Sequence, residues 1–476
     1  MIFLLNIFFL IFGTTLSAPK TTETYSNSLI LREPDEFYLY WNYNETDIVI
    51  ETHAKTSGWS SFGISPTGGM DNSDVVVSWI NNDGSHHFSD RHIRGRQVLK
   101  DKVQNWFPIA IFQQDDYLIT KFTRKIKICD ESNEDLDIPE GTPMTIFAYG
   151  SVLVDDDIGY HNTNRGTKTV PLINSLNAAP KINLDEVEQV EFRANYTLDK
   201  SKDTEYFCTM FKLPVDWAKE KRHLIRYETL YTPGTEENLH HWTVNECGPD
   251  FEKEFLKSNS IPDPAFCYSP NWIKALSYCR KISLAWAVGG SIIQDFPEDL
   301  AYPLGGSDQE TKYFFLEIHY DNPRLKNGVK DYSGVRFYAT KNYRKNEFGV
   351  FTVGAEESAQ GIILPPRAES FKLNYACSRD CTDMLFEQQD EIKVFSTLPH
   401  AHLLGKEIYT KVIRDGKEVA YLANNKFYDF NNQYYNFLNK PVTLKKGDEI
   451  VTKCVYGTNK KANFTYGGLA TYNEMW

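Results

Sequence analysis

Five histidines and one methionine have the types and spacings from which metal sites are built. They are His240 and His241 in Leu-His-His-Trp, His319 in Glu-Ile-His-Tyr, His400 and His402 in Pro-His-Ala-His-Leu, and Met475 in Asn-Glu-Met-Trp. They divide into three imidazoles and a second set of two imidazoles plus a thioether, two sites of different softness. Imidazole suits copper in either oxidation state, and a thioether favours Cu(I). A chain holding both is suited to redox chemistry with oxygen. A lone histidine on a strand is more often a hydrogen-bonded core or rim residue than a ligand, but two tight clusters and a third position outweigh that reading. His53, His86, His87, His92, His161 and His223 show no such organisation and read as surface or structural. Met475 alone would be an ordinary core methionine.

The backbone must deliver these groups. On a strand, residues i and i+2 project to one face, so His400 and His402 form a natural pair, and Gly405 fits a turn that leaves them accessible. Adjacent His240 and His241 would point to opposite faces of a regular strand. Both reach one ion only where the backbone is bulged, bent or in a loop. The breakers in Tyr231-Thr-Pro-Gly-Thr-Glu-Glu-Asn238 make such an entry plausible. In the run Phe314-Phe-Leu-Glu-Ile-His-Tyr, alternation places His319 on one face with Glu317 and Phe315, the inward one.

Composition places the chain in a class and a compartment. The run from Ile2 to Phe12 is almost wholly apolar and Gly13–Ala18 is small and polar, so residues 1–18 read as a secretory signal. No later segment is long and apolar enough to span a bilayer. The sequons at Asn44, Asn195 and Asn463 agree with export and glycosylation. The eight cysteines should mostly pair in that oxidising compartment, and spacing alone cannot choose the pairs. A net charge of −13 with no long Lys/Arg cluster argues against nucleic-acid binding. The 28 tyrosines, 30 phenylalanines and short β-branched runs between turn residues predict an all-β chain.

A first unit spans residues 30–175. Gly58-Trp-Ser-Ser-Phe-Gly-Ile-Ser65, Gly68-Gly-Met70, Asp74, Ser89-Asp-Arg91, Lys127-Ile-Cys-Asp130 and Ile146-Phe-Ala-Tyr-Gly150 resemble the DOMON domain, an immunoglobulin-like β-sandwich. DOMON units elsewhere hold haem or sugars, which makes Met70 and His161 candidate haem ligands in a competing, non-catalytic reading. A calcium-like site at Asp74 and Asp101 is a further candidate, against turn-capping aspartates. Residues 176–203 read as a linker, 204–345 as a second unit and 346–476 as a third.

Six motifs then follow in order: His223-Leu-Ile-Arg-Tyr-Glu228, Asn238-Leu-His-His241, Leu284-Ala-Trp-Ala-Val-Gly-Gly290, Leu316-Glu-Ile-His-Tyr-Asp-Asn-Pro323, Leu398-Pro-His-Ala-His-Leu-Leu-Gly405 and Gly467-Gly-Leu-Ala-Thr-Tyr-Asn-Glu-Met475. Together they resemble the copper type II, ascorbate-dependent monooxygenases, of the dopamine and tyramine β-hydroxylase group or its DBH-like relatives. The resemblance implies two jelly-roll-like β-sandwich copper domains after the DOMON unit. It implies an electron-transfer copper on His240, His241 and His319, and an oxygen-activating copper on His400, His402 and Met475. Two coppers per chain, ascorbate as reductant and O2 would serve hydroxylation of a benzylic C–H in a small amine such as dopamine or tyramine. The implied setting is the secretory pathway, secreted or in a vesicle lumen, in catecholamine metabolism, with a homo-oligomer as an option. It also implies bridges Cys208–Cys267 and Cys247–Cys279. The family's last domain continues past the Glu-Met motif, so the third unit reads as incomplete, with partners of Cys129, Cys377, Cys381 and Cys454 further on. A truncated or degenerate member without catalysis is the alternative.

Overall fold

The computed structural model describes residues 19–128, 134–139, 143–151, 158–173, 182–183, 186–306, 312–354, 361–386, 389–468 and 470–475. The signal read over residues 1–18 and Cys129 lie outside them, as does part of the 176–203 span. The chain is mostly strand, and no helix among the described residues is long and apolar enough to cross a membrane. It divides into two compact units, residues 1–139 with 143–172, and a second that includes 173–476.

The first unit is a sandwich of two antiparallel sheets. One runs, in spatial order, through Asn27–Arg32, Phe37–Tyr43, Asp47–Ala54, Tyr117–Lys125 and Phe107–Gln114. The other runs through Arg165–Thr169, Met144–Gly150, Trp59–Ser65, Asp74–Ile80, His86–Arg94 and Gln97–Lys100. Phe37 meets Phe147 and Phe62 meets Phe122 across the interior. Asp74 does not read as a free calcium ligand here. Its carboxylate accepts from Trp106 Nε1 (2.9 Å), Arg124 Nη1 (2.7 Å) and the Leu136 amide (3.0 Å), so a guanidinium is its counter-cation. Asp101 faces His92 Nδ1. Met70 packs against the Trp59–Val75–Val77–Trp79–Ile93 cluster, and the His161 ring lies beside Tyr160 with Nδ1 at 3.1 Å from the Asn162 carbonyl.

In the second unit, residues up to Glu347 form two larger sheets and a two-stranded one, Tyr196–Thr197 with Lys330–Asp331. Glu188–Arg193, Gly334–Thr340, Arg222–Leu230, Leu300–Leu304 and Asn346–Glu347 make one larger sheet. Ala265–Phe266, Thr204–Lys212, Tyr313–Asp321, Leu239–Glu246 and Lys281–Ala287 make the other. Leu224, Tyr227, Trp242, Leu316, Ile318 and Phe337 form their shared core. Part of the span read as linker is therefore folded. Glu188–Arg193 pairs antiparallel with Gly334–Ala339, its alternating exposure marking an edge strand hidden in a charged stretch.

Disulfides Cys208–Cys267 and Cys247–Cys279 pin the segment between Cys247 and Cys279 onto the strands, over a core of Phe251, Trp272 and Phe315. Beyond residue 348 a four-stranded sheet runs Phe371–Cys377, Glu449–Tyr456, Gly405–Arg414 and Lys417–Asn425, with Glu391–Thr397 pairing Asn436–Lys445. Cys377, at the end of Phe371–Cys377, bonds Cys381 inside the short helix Arg379–Asp383. Cys454 is a free, buried thiol that burial pushes up to about 12. The Asn44, Asn195 and Asn463 side chains are all exposed.

Candidate metal centre

The first donor set is built on neighbouring strands. His241 and His319 are direct cross-strand partners, and Tyr206 flanks His319 from the other side. The register slips between Leu239 and His241, which makes His240 the extra residue of a bulge. That bulge lets consecutive side chains serve one point. The 3-10 turn at Glu236–Asn238 leads into it, and Asn238 Nδ2 donates to the Asp321 carbonyl at 2.9 Å.

His240 Nδ1 and His241 Nδ1 face each other at 3.1 Å, and His319 Nδ1 is buried without a partner. The three residues offer donor atoms within 4.8 Å of one another. Two imidazole lone pairs this close repel unless a proton or a cation lies between them. Thr204 Oγ1 sits 2.8 Å from His319 Nε2, and a proton on Nε2 directed at that oxygen leaves Nδ1 bare for a metal. Tyr206 stacks on the His319 ring at 4.4 Å. The donor chemistry and the orphaned nitrogen fit a metal of the imidazole-preferring kind.

The second set departs from the strand expected for it. His400 and His402 lie in the connection between Glu391–Thr397 and Gly405–Arg414. Pro399 supplies no ladder N–H, the Ala401 amide donates to Tyr428 Oη (2.9 Å), and the Gly405 amide donates to the His402 carbonyl (3.1 Å). Gly405 is needed for close approach, since a Cβ there would come within 2.8 Å of the Ala401 Cβ. His400 Nδ1 lies 2.6 Å from Gln433 Oε1 and His402 Nδ1 lies 3.2 Å from the Asn473 carbonyl. Both acceptors hold the proton on Nδ1, so both rings present Nε2, and that of His402 is buried without a partner. Met475 lies two residues after Asn473, whose carbonyl holds His402, in a turn segment with a single bridge at Glu474. This set too fits a metal, and the thioether favours the reduced ion of a copper couple.

The two sets adjoin. The His241 and His400 rings are 5.6 Å apart, and Phe430 stacks on His240 at 3.9 Å while meeting His402 edge-on at 5.8 Å. The segment carrying Phe430 and Gln433 docks on the end of Lys281–Ala287. The Gln433 amide donates to the Val288 carbonyl at 2.8 Å, and Asn432 lies so close over Gly289 that a Cβ would stand 2.5 Å from its Cα. Sequence reasoning missed Thr204, Tyr206, Phe430 and Gln433. The Gly289-Gly290 pair was the one local sign that a second segment closes over this edge.

Burial holds these imidazoles neutral. It drives His240 down to about 3, aided by His400 and His402, and takes His402 to about 3, aided by His400. It also lowers His241, His319 and His400. Neutral imidazoles are the form that binds metal. With folded values below 6.5, the unfolded chain binds more protons at acid pH, and stability falls as pH drops from 6.5 towards 3. Each group contributes up to about 1.4 kcal/mol per pH unit. The melting temperature of the metal-free protein should fall steeply between pH 6.5 and pH 5 in calorimetry. A flat profile would mean that the rings are solvated.

The family model for the copper type II ascorbate-dependent monooxygenase N-terminal domain matches residues 190–327, that for the C-terminal domain matches 346–476, and the DOMON model matches 33–150. The chain is similar to human DBH-like monooxygenase protein 1, with 33% identity over 96% of this chain and 73% of that protein. Rat dopamine beta-hydroxylase is 28% identical over 92% of this chain and 69% of the relative. MOXD1 homolog 1 of Drosophila melanogaster is 28% identical over 93% and 64%. The disulfides and these relatives are consistent with the secretory pathway. With both copper-domain models matched in order and a relative one-third identical over nearly the whole chain, this chain belongs to the copper type II ascorbate-dependent monooxygenases.

Proposed function

We propose that the chain hydroxylates a benzylic C–H of a small aralkylamine, in the lumen of the secretory pathway or outside the cell, using O2 and ascorbate. One copper would be held by His240, His241 and His319 and a second by His400, His402 and Met475. Bound there, the metal supplies one-electron transfer at the all-imidazole set and oxygen activation at the thioether set. Thr204 fixes His319 with Nδ1 bare, and Gln433 and the Asn473 carbonyl fix His400 and His402 with Nε2 bare. Burial keeps all five rings unprotonated at neutral pH. The observation that carries this reading is the adjacency of two differently composed donor sets, His241 to His400 at 5.6 Å.

A crevice of about 10 Å³ beside Gln433, room for about one water and not for an aromatic ring, is lined by Tyr227, Trp286, Leu398, Tyr434 and Tyr435. The test is to load the protein with copper, count the metal, and supply ascorbate, ¹⁸O2 and a panel of phenylethylamine, tyramine, dopamine and neutral alkylbenzenes. We expect two coppers per chain and one labelled oxygen in a benzylic alcohol from the amines. Unlabelled product, or metal at background level, would sink the reading. Turnover of neutral analogues alone would overturn the amine assignment.

A further inference from the structure

Glu474 is fully buried, 0% exposed, and its carboxylate accepts from backbone amides 70 and more residues away in sequence. Oε1 accepts from the Leu404 N–H at 2.6 Å and Oε2 from the His402 N–H at 3.1 Å. Its own backbone is tied as well. The Glu474 N–H donates to the Tyr466 carbonyl and the Gly468 N–H donates to the Glu474 carbonyl, each at 3.0 Å. Tyr466 in turn belongs to the Thr465–Tyr466 strand paired with Ile363–Leu364. The preceding carbonyl, of Asn473, takes His402 Nδ1, and the following residue is Met475.

From this geometry we infer that Glu474 is a positioning residue that clamps the His400–Leu404 turn to the segment bearing Met475. The inference rests on the second donor set proposed above. In the turn His400–Leu404 the His402 carbonyl accepts from Gly405 (3.1 Å) and the Leu404 carbonyl from Gly457 (2.9 Å), but the amides of Ala401, His402 and Leu404 are held by side-chain acceptors, Tyr428 Oη at Ala401 and Glu474 at His402 and Leu404. Backbone amides buried away from water are costly to leave without an acceptor, and Glu474 supplies one oxygen to each of the two. One side chain thereby sets the spacing between donors that chain connectivity leaves unrelated. Glutamine in its place keeps the shape, but its NH2 end cannot accept, so one of the two amides loses its partner.

The test uses the full chain. In metal-free wild type, the amides of His402 and Leu404 should exchange with solvent far more slowly than those of the exposed turn at Asp415–Gly416, and in Glu474→Gln at least about tenfold faster than in wild type, the change for a loss of 1.4 kcal/mol. Copper retention at the second site against a chelator should weaken by roughly 10- to 100-fold, the usual effect of an outer partner of a ligand, while the three-histidine site keeps its ion and reports that the protein is folded. Rapid exchange of both amides in wild type overturns the clamp without any variant. So does Glu474→Gln with unchanged exchange and unchanged retention. His402→Ala, run in parallel, separates the two ideas: if it too keeps both coppers, the donor set is wrong, whereas if it loses one and Glu474→Gln loses none, the clamp alone is wrong.

Discussion

His402→Ala should abolish turnover while leaving one copper bound. Among the second donor set His402 is the most committed side chain: fully buried, its Nδ1 given to Asn473 and its Nε2 without a partner. Alanine leaves only His400 and Met475, two neutral donors on separate segments, too few to hold a three-coordinate site. Without oxygen activation, the barrier should rise by about 4 kcal/mol or more, roughly a thousandfold in rate. The three-histidine set has its own scaffold in the His241–His319 pairing and the Thr204 contact, neither of which passes through His402. Copper per chain should therefore fall from two to one, with the remaining Cu(II) showing imidazole nitrogen couplings by electron paramagnetic resonance. His319→Ala should give the reciprocal result, with sulfur scattering from Met475 retained in X-ray absorption of the reduced protein. Loss of both ions in His402→Ala would mean that the five histidines make one site. Unimpaired turnover would remove His402 from the chemistry.

The chemistry was legible because histidine is scarce and its spacing constrains backbone shape. The Leu-His-His pattern demands a bulge if both rings serve one ion, and the slip between Leu239 and His241 is that bulge. The His-x-His pattern has two solutions, a strand and a turn, and alternation favoured the wrong one. Pro399 before the pair and Gly405 after it were the local signs of a turn, and the contact from Glu474, some 70 residues later, holds it. The partners of the rings were out of reach for the same reason. Thr204 reaches His319 and Gln433 reaches His400 through sheet packing, with nothing periodic to mark them. The adjacency of the two sets is likewise a product of docking at Val288–Gly290, a contact between strands and a loop that no local pattern encodes. In the first unit the strands were readable as short β-branched and aromatic runs between Gly- and Asp-rich turns. The aspartates were not, because Arg124 is 50 residues from the carboxylate it neutralises.

Arg124→Ala should therefore destabilise the first unit severely. The Arg124 and Asp74 side chains are both 0% exposed. The guanidinium bonds Asp74 at 2.7 Å and the Leu136 carbonyl at 2.6 Å, and lies 4.5 Å from the Trp106 ring centre. Asp74 shares its surroundings with Asp90 and Asp135, carboxylates that burial and the Asp74 charge push up to about 8 and about 6. Removing this guanidinium leaves Asp74 uncompensated among them. Breaking a buried pair from one side costs about 3–5 kcal/mol. In a unit of this size that lowers the melting temperature by roughly 10 °C. Scanning calorimetry should show the shift, and hydrogen exchange at the Trp59–Ser65 amides should assign it to this unit. Arg124→Met combined with Asp74→Asn should recover much of the loss, because it removes both charges together and retains apolar volume. A single variant melting within about 2 °C of wild type would mean that Asp74 is neutralised some other way, by a proton shared with Asp90 or by a bound cation.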